Sequence, residues 1–172
     1  FLETILDGKY RPGHFQGVCQ VVDKLLSITQ PQKLYLGQKD YQQCMVIKRL
    51  TELKNHKTEI CINPTIREKD GLAMSSRNMR LSPEQRLKAP GINQVLEYFH
   101  DHLEAGDLRP LKEYGYNELT ATGFRVDYIE FADADTLTLT SEWDGAVPLV
   151  ALAAAFLEDI RLIDNKILSL RP

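Results

Sequence analysis

The stretch Lys33-Leu34-Tyr35-Leu36-Gly37-Gln38-Lys39-Asp40 decides the fold class of this chain. Its first five residues place leucines on either side of a tyrosine and end at a glycine, which predicts a short strand from Lys33 to Gly37. Asp40 can then cap a helix that runs to about Asn55. The stretch therefore predicts a strand that passes into a helix through one tight turn.

The neighbouring segments extend this unit. Apolar residues at helical spacing predict a helix from Phe15 to Thr29, and a second β-type run from Thr58 to Ile62 is stopped by Asn63-Pro64. Helix, strand, helix and strand at this spacing are typical of a doubly wound parallel sheet, so residues 1–65 are predicted to be the trailing part of a Rossmann-like α/β domain. The residues expected to face its core are Phe15, Val18, Cys19, Val22, Leu25 and Leu26 on the first helix and Cys44, Ile47, Leu50 and Lys54 on the second.

After residue 65 the pattern changes, and residues 66–172 are predicted to form a small α+β lid domain. A polar loop from Thr65 to Leu81 precedes a helix with clear start signals, namely Ser82 as cap, Pro83 in the first turn and Gln85 at the capping-box position. That helix is expected to kink near Pro90-Gly91 and to end at Ala105-Gly106. The elements predicted after it are a helix from Leu108 to Ala121 and a three-stranded antiparallel sheet of Arg125 to Ala132, Ala146 to Ala155 and Arg161 to Leu168, although Ala151 to Phe156 alone would favour a helix.

Composition limits the protein classes that fit. The 172 residues are 43% hydrophobic and 26% charged, as in ordinary globular proteins. The longest apolar stretch, Ala146 to Leu157, is interrupted by Pro148, so no membrane span is predicted. Since no basic-then-apolar leader opens the sequence, no signal peptide is predicted either. Three separated cysteines without a CxxC pair argue against a disulfide scaffold or a zinc site and favour a cytoplasmic location. Because the sequence begins at Phe1 and Leu2 to Leu6 read as the middle of a helix, we expect it to be part of a longer protein.

Charge is unevenly distributed along the chain, whose net charge is −3. Between Lys33 and Arg80 there are ten Lys and Arg residues and five Asp and Glu residues, a balance of +5, so the remainder carries −8. This basic region is either an ordinary solvated surface or a site for a polyanion such as a nucleoside triphosphate. A nucleic-acid partner is not predicted, since the basic residues neither form one run nor alternate with aromatic residues.

The turn from Gly37 to Gln43 is the first candidate site. Open α/β sheets bind ligands where a strand ends and a helix begins, and the N–H groups at a helix start favour a phosphate. Gly37 lets the backbone approach a ligand, Lys39 adds a positive charge, and Asp40 could accept hydrogen bonds from ribose hydroxyls. The alternative interpretation is a plain strand–helix turn in which Asp40 only caps the helix.

The loop Asp70-Gly71-Leu72-Ala73-Met74-Ser75-Ser76-Arg77-Asn78 is the second candidate. Two hydroxyls and a guanidinium on a loop can neutralise charge as pyrophosphate departs from a triphosphate. The loop resembles the Lys-Met-Ser-Lys-Ser loop of class I aminoacyl-tRNA synthetases and related nucleotidyltransferases. A Ser-Ser-Arg tripeptide is also common in turns that precede a helix.

Four strings, taken in order and spacing, carry a more specific resemblance. They are Arg11-Pro12-Gly13-His14-Phe15-Gln16-Gly17-Val18, Gly37 to Gln43, Gly71 to Asn78, and Arg161-Leu162-Ile163-Asp164-Asn165. Together they resemble the pantothenate synthetase (pantoate–β-alanine ligase) family over essentially the whole chain. The first half of that family, with its His-x-Gly-His motif, is expected to precede Phe1.

The resemblance implies a role for individual residues. Gln43 would bind pantoate, Ile66 would contact adenine through its backbone, and Lys39, Ser75 and Arg77 would be catalytic. Mg²⁺ is expected as a cofactor, with its ligands outside this chain, so no metal ligand is assigned here. The residues implied to bind ATP are Gly37, Gln38, Lys39, Asp40, Ile66, Met74, Ser75, Ser76 and Arg77.

The implied function is the ATP-dependent condensation of pantoate with β-alanine through a pantoyl adenylate, with release of AMP and pyrophosphate. The resemblance also implies a homodimer. It further implies that this chain is inactive without the N-terminal half that proteins of the family carry. Two alternatives stay open, namely another nucleotidyltransferase of the same superfamily and a stand-alone binding or dimerisation module.

Two departures and four histidines complete the prediction. Gln38 stands where the family usually has Glu, and Glu158 stands where Gly is common. We expect little consequence from the first, because its role is assigned to the backbone, and an effect on the fold rather than the site from the second. His14 is interpreted as structural, and the other histidines, His56, His100 and His102, as exposed residues at helix ends or faces.

Overall fold

The computed structural model describes residues 2–169 and divides the chain into two compact units, 1–64 and 65–172. The described part of the first unit contains three α-helices, one 3-10 turn and two strands. These are α1 (Leu6–Tyr10), α2 (His14–Thr29), β1 (Lys33–Gly37), a 3-10 turn (Gln38–Asp40), α3 (Tyr41–Leu53) and β2 (Glu59–Asn63). β1 and β2 pair in parallel, with Lys33 opposite Glu59 and Gly37 opposite Asn63. The parallel α/β arrangement predicted for this part of the chain is confirmed.

The core of the first unit is built mainly by α3. Cys44, Ile47 and Leu50 are buried as predicted, whereas Lys54 follows the helix and is exposed. On α2 the buried residues are Phe15 and Leu26, and the prediction that Leu25 faces the core is wrong because its side chain is 54% exposed. Neighbouring residues of a helix differ by about 100° in direction, so burial of Leu26 turns Leu25 toward solvent.

The start of the chain differs from the prediction. Leu2 to Ile5 form turns and bends rather than the middle of a helix, and α1 begins only at Leu6. The buried Gln42 side chain donates to the carbonyl of Leu2 at 2.6 Å and to that of Ile5 at 2.9 Å. The Leu2 carbonyl is thus satisfied by a side chain, while the Ile5 carbonyl also accepts the Lys9 amide at 3.2 Å as α1 begins.

The helices of the second unit follow the predicted start signals. Ser82 and Gln85 form the full capping box. At the expected kink near Pro90-Gly91 the helix is divided in two by the turn residues Ala89 and Pro90, because proline lacks the backbone N–H that would continue the helical hydrogen bonds. The helical elements are a 3-10 turn (Ser76–Arg80), α4 (Pro83–Lys88), α5 (Gly91–Asp101) and, after a two-residue strand β3 (Gly106–Asp107), α6 (Arg109–Ala121).

The three predicted antiparallel strands are present and carry a fourth, short strand at one edge. The remaining strands are β4 (Arg125–Asp133), β5 (Leu139–Thr140), β6 (Glu142–Trp143), β7 (Leu149–Leu157) and β8 (Ile160–Leu168). Four of these strands form one sheet in the order β5-β4-β7-β8. The fifth, β6, pairs separately with β3. The alanine-rich β7 is a strand despite its helical propensity, because it pairs on both sides and is buried along almost its whole length.

The turn between β7 and β8 shows why glycine is common at position 158 in the family that this sequence resembles. Glu158 has a φ of +52°, a left-handed conformation that glycine adopts more easily than glutamate. The difference therefore concerns a hairpin at the sheet end, as predicted.

None of the helices in the described part of the chain is long and apolar enough to cross a membrane.

The core of the second unit lies between the sheet and its helices α5 and α6. The Phe99 and Phe131 rings pack 5.1 Å apart at its centre, and both are buried. Gly115 on α6 allows this close packing, since an added Cβ would lie 2.6 Å from the ring of Phe99. The second unit thus has a tightly packed core behind the loop at its own start, residues 65–81.

Candidate nucleotide-binding site

The first cluster occupies the junction of β1 and α3. Gly37 and Asp40 are exposed and Lys39 is half-buried. A Cβ added at Gly37 would meet no atom within 4 Å, so the space over this backbone is open. The structure therefore brings Gly37, Gln38, Lys39 and Asp40 together on one turn with room for a ligand against the main chain.

Two neighbouring side chains define this turn further. Asp40 occupies the N-cap position of α3, but its carboxylate makes no capping hydrogen bond, so the predicted cap role is wrong. The Cys44 thiol donates to the Gly37 carbonyl at 3.4 Å. Burial raises the pKa of Cys44 to about 11, with a further contribution from Asp40, so the thiol keeps the proton that it donates.

The paired glutamines of α3 have different environments. Gln42 is buried and anchors the first residues of the chain, whereas Gln43 is half-buried. Of the two, only Gln43 keeps a partly accessible side chain close to the turn. This placement is consistent with the ligand-binding role predicted for Gln43 rather than for its neighbour.

His14 begins α2, and its ring lies 5.0 Å from that of Phe15. Burial lowers the pKa of His14, and the Arg11 charge lowers it further, against the opposing charges of Asp7 and Asp40. The imidazole is therefore mainly neutral near pH 7. The sequence did not indicate that the charge of Asp40, on the turn, acts on His14.

The remaining histidines were predicted to be exposed, and the structure shows that not all of them are. The His56 side chain is 15% exposed and lies 2.8 Å from the Asp23 carboxylate, which corrects its predicted exposure. This contact is the first cause of the lowered pKa of Asp23. His102 is exposed and stacks on Tyr98 at 3.8 Å, and His100 is half-buried.

The second cluster lies on a hairpin at the start of the second unit. The Met74 amide donates to the Ile66 carbonyl at 2.9 Å, and Arg67 and Ala73 form an antiparallel β-bridge. The side chains of Ile66 and Met74 are 73% and 49% exposed. The structure thus places these two predicted ATP contacts next to each other at the open end of one hairpin.

Ser75, Ser76 and Arg77 follow directly. The Ser75 hydroxyl accepts a hydrogen bond from the Arg77 amide at 3.2 Å and so caps the 3-10 turn. Ser76 and Arg77 are exposed. The loop therefore offers a guanidinium and one uncommitted hydroxyl proton at Ser75, beside the hairpin end.

Sequence reasoning missed the residues that hold this hairpin. Arg67 donates through both terminal nitrogens to Asp164 on β8, at 2.6 and 3.1 Å. Asp164 belongs to a string that carried the family resemblance, but no role could be given to it. Only the folded sheet brings these residues, 97 positions apart, into contact.

The chain is thus an α/β protein with an open strand–turn–helix backbone at Gly37–Asp40 and a basic Ser-Ser-Arg loop at the start of the second unit. The family model of pantoate-beta-alanine ligase matches residues 1–167, and the chain belongs to that family.

Individual relatives support the assignment. The chain is 39% identical over 167 residues to a pantothenate synthetase of Bacteroides thetaiotaomicron, covering 95% of this chain and 58% of the relative. A pantothenate synthetase of Azobacteroides pseudotrichonymphae is 39% identical over 165 residues, covering 95% and 59%. The chain therefore spans less than two thirds of the length of these relatives.

Solved structures show the same fold. The crystal structure of pantothenate synthetase from Thermus thermophilus matches with a TM-score of 0.90 and 38% identity, over 98% of this chain and 61% of that one. The pantoate-beta-alanine ligase of Francisella tularensis, in complex with beta-gamma ATP and beta-alanine, matches with a TM-score of 0.72 and 35% identity, over 96% of this chain and 55% of that one.

Proposed function

We propose that this protein takes part in the ATP-dependent condensation of pantoate with β-alanine, by way of a pantoyl adenylate that releases AMP and pyrophosphate. Family membership supports the reaction class. The observation that carries the proposal is the open Gly37 backbone beside Lys39, at the end of a parallel strand and the start of a helix. Backbone N–H groups and a lysine at such a turn suit the phosphates of a nucleotide.

The turn would hold the phosphates and the ribose. Gly37 allows the backbone close approach, and Gln38 would contribute main-chain contacts. Lys39 would pair with phosphate oxygens. The exposed Asp40 carboxylate, which caps no helix N–H, is suited to ribose hydroxyls.

The hairpin would hold the base and the leaving group. The Ile66 carbonyl already accepts the Met74 amide, and its second lone pair can accept from the adenine amino group. Met74 would cover the base with its exposed thioether, while Ser75, Ser76 and Arg77 would contact phosphate oxygens. We assign no magnesium ligand to the described residues. The metal would be held by residues outside this chain and would offset negative charge on the triphosphate.

The chemistry consists of two transfers. The pantoate carboxylate, oriented by Gln43, forms a bond to the α-phosphorus as the bond to pyrophosphate breaks. Lys39 and Arg77 stabilise the charge that collects on the phosphate oxygens, the contribution that dominates such reactions. The β-alanine amine then bonds to the acyl carbon, loses a proton, and the bond from that carbon to the AMP oxygen breaks.

Domain roles and assembly are part of the proposal. Residues 1–65 would bind the nucleotide and residues 66–172 would act as a lid that moves the hairpin with its own unit. Activity would require the residues that the relatives carry beyond the matched portion, and the active form would be a cytoplasmic homodimer. The 172-residue polypeptide by itself should therefore make no pantothenate, whereas the intact natural polypeptide should.

The direct experiment gives the intact natural protein ATP, pantoate and β-alanine and measures every product. We expect pantothenate, AMP and pyrophosphate in equal amounts, and none of them when pantoate is omitted. Formation of ADP and inorganic phosphate would instead indicate an acyl phosphate and contradict the proposal. Pyrophosphate release without amide formation would favour another nucleotidyltransferase activity.

A further inference from the structure

The ion pair between Arg67 and Asp164 is buried and two-pronged. The two terminal nitrogens of Arg67 meet the two carboxylate oxygens at 2.6 and 3.1 Å. The Asp164 side chain is only 4% exposed and that of Arg67 25%. Such paired contacts fix the orientation of both groups, and a charge left buried without its partner is costly.

Each partner of this pair is also tied to backbone. One Arg67 nitrogen donates to the Gly71 carbonyl at 3.0 Å, across the turn of the hairpin. One Asp164 oxygen accepts the Asn165 amide at 2.8 Å. The pair therefore links the turn of the hairpin to the main chain of β8.

The hairpin itself places Arg67 between the proposed ATP contacts and the turn. Arg67 follows Ile66 directly and bridges to Ala73, the residue before Met74. Glu68 donates to the Leu72 carbonyl at 2.8 Å, closing the turn. Fixing Arg67 consequently fixes both Ile66 and Met74.

We infer that Arg67 and Asp164 are positioning residues, which hold the Ile66–Met74 hairpin in its nucleotide-binding geometry before any nucleotide arrives. The identity of the ligand in this inference rests on the proposed function. That the ion pair immobilises the hairpin does not depend on the proposed function. A preformed hairpin avoids the free-energy cost of ordering these residues when ATP binds. Arg67 and Asp164 need not touch ATP themselves.

The test uses the Asp164→Asn and Arg67→Lys variants of the intact natural protein, the second because lysine keeps the charge but cannot form the two-pronged contact. The first readout is amide hydrogen exchange without ATP. We expect the amides of Glu68 and Met74 to lose protection by about tenfold or more, while the amides of β4 and β7 keep theirs. Unchanged protection at Glu68 and Met74, or an equal loss throughout the sheet, would overturn the inference.

The second readout separates nucleotide binding from turnover. In both variants we expect the KM for ATP to rise by about 10- to 100-fold, the effect typical of groups that orient a ligand-contacting residue, with the KM for pantoate nearly unchanged. A KM for ATP within twofold of the parent, in a protein whose hairpin has lost protection, would also overturn it. A parent protein without ATP-dependent activity would instead refute the proposed function, and the exchange readout would still decide whether the hairpin is braced.

Two controls distinguish positioning from general stability. Asp127→Asn removes a partner of Arg161 in another buried ion pair of the same unit, at 2.7 Å, and should leave the KM for ATP unchanged. The double variant Arg67→Met/Asp164→Leu replaces both charged side chains by apolar ones. Replacing a whole buried ion pair in this way commonly preserves folding stability. It should remain folded with a raised KM for ATP. Full recovery of that KM would show that apolar packing at these positions is sufficient and would contradict the role of the ion pair.

Discussion

The turn at Gly37–Asp40 and the hairpin at Ile66–Met74 reach their conformations by different routes. The turn lies between β1 and α3, and its Gly37 carbonyl accepts from the Cys44 thiol, seven residues away on α3. The hairpin depends on Asp164, 97 residues away, and on Arg86, whose guanidinium meets the Asp70 carboxylate. One candidate cluster is therefore a local junction, and the other is a loop held by contacts with distant residues.

This difference determines how each region should respond to substitution. The turn has open space above its backbone, so changes there should affect ligand contacts and leave the fold intact. The hairpin is held by tertiary contacts, so changes there should alter its conformation even in the absence of a ligand. The following predictions test that contrast.

The largest effect is expected at Lys39 in the turn. Lys39→Ala in the intact protein should cost about 2.7–4 kcal/mol of transition-state stabilisation, the range for removing one preorganised donor. The loss should fall on adenylate formation, measured by pyrophosphate release in a single turnover. Lys33→Ala, at the opposite end of β1 where the lysine pairs with Glu59, is the matched control and should have little effect. Normal adenylate formation followed by slow amide formation would show that Lys39 has another role.

The next effect is expected at Gly71 in the hairpin. Gly71 has a φ of +90°, and an added Cβ would lie 2.5 Å from the Asn93 amide nitrogen. Gly71→Ala should therefore cost about 1–3 kcal/mol of strain and expose the hairpin amides to hydrogen exchange without ATP. Gly17→Ala, on an exposed part of α2 with no atom within 4 Å, should instead stabilise the protein by about 0.5–1 kcal/mol. Urea unfolding of both variants gives the comparison, and equal effects would contradict it.

Gly37→Ala should separate binding from folding. The φ of Gly37 is −85° and the added methyl group meets no protein atom, so the free energy of unfolding should change by less than about 0.5 kcal/mol. ATP affinity, measured by calorimetry, should fall because the methyl group occupies the space where phosphate would approach the backbone. An unchanged affinity would remove Gly37 from the site.

A small effect on stability is expected for the exposed ion pair of the hairpin. The hydrogen bond from Arg86 is the main cause that lowers the pKa of Asp70. The contribution of the Arg86–Asp70 ion pair to stability is therefore fully present at pH values above the ordinary pKa of the carboxyl. It is lost as the pH falls through the lowered pKa of Asp70. Because both side chains are partly exposed, at 42% and 35%, Asp70→Asn should cost less than about 1 kcal/mol near pH 7. The difference from the parent should disappear at acid pH, and a difference that grew there would contradict the assignment.

The contrast between the two regions also explains what the sequence could predict. The short strand, the turn and α3 follow from apolar spacing and one glycine, all within about twenty residues, and they were located almost to the residue. The capping box at Ser82 was equally local. Signals of this kind depend on chemistry between near neighbours, which the sequence shows directly.

The misplaced features depend on tertiary contacts. The Leu2–Ile5 turn needs Gln42, the exposure of Leu25 depends on how α2 is rotated against α3, and β7 is a strand only because two partners flank it. Arg67 and Asp164 were both visible as residue types, but no local pattern connects them. Their pairing follows from the tertiary packing of the hairpin against β8 and not from their positions in the chain.

The central claim is activation of pantoate as an adenylate, and the position of an oxygen label tests it most directly. Pantoate labelled with oxygen-18 in its carboxylate is given to the intact protein with ATP and β-alanine, and the released AMP is analysed by mass spectrometry. Because the carboxylate oxygen becomes the bridge to phosphorus and stays there when the amine attacks carbon, we expect one labelled oxygen in each AMP. Unlabelled AMP, or label in inorganic phosphate with ADP as the other product, would contradict the account.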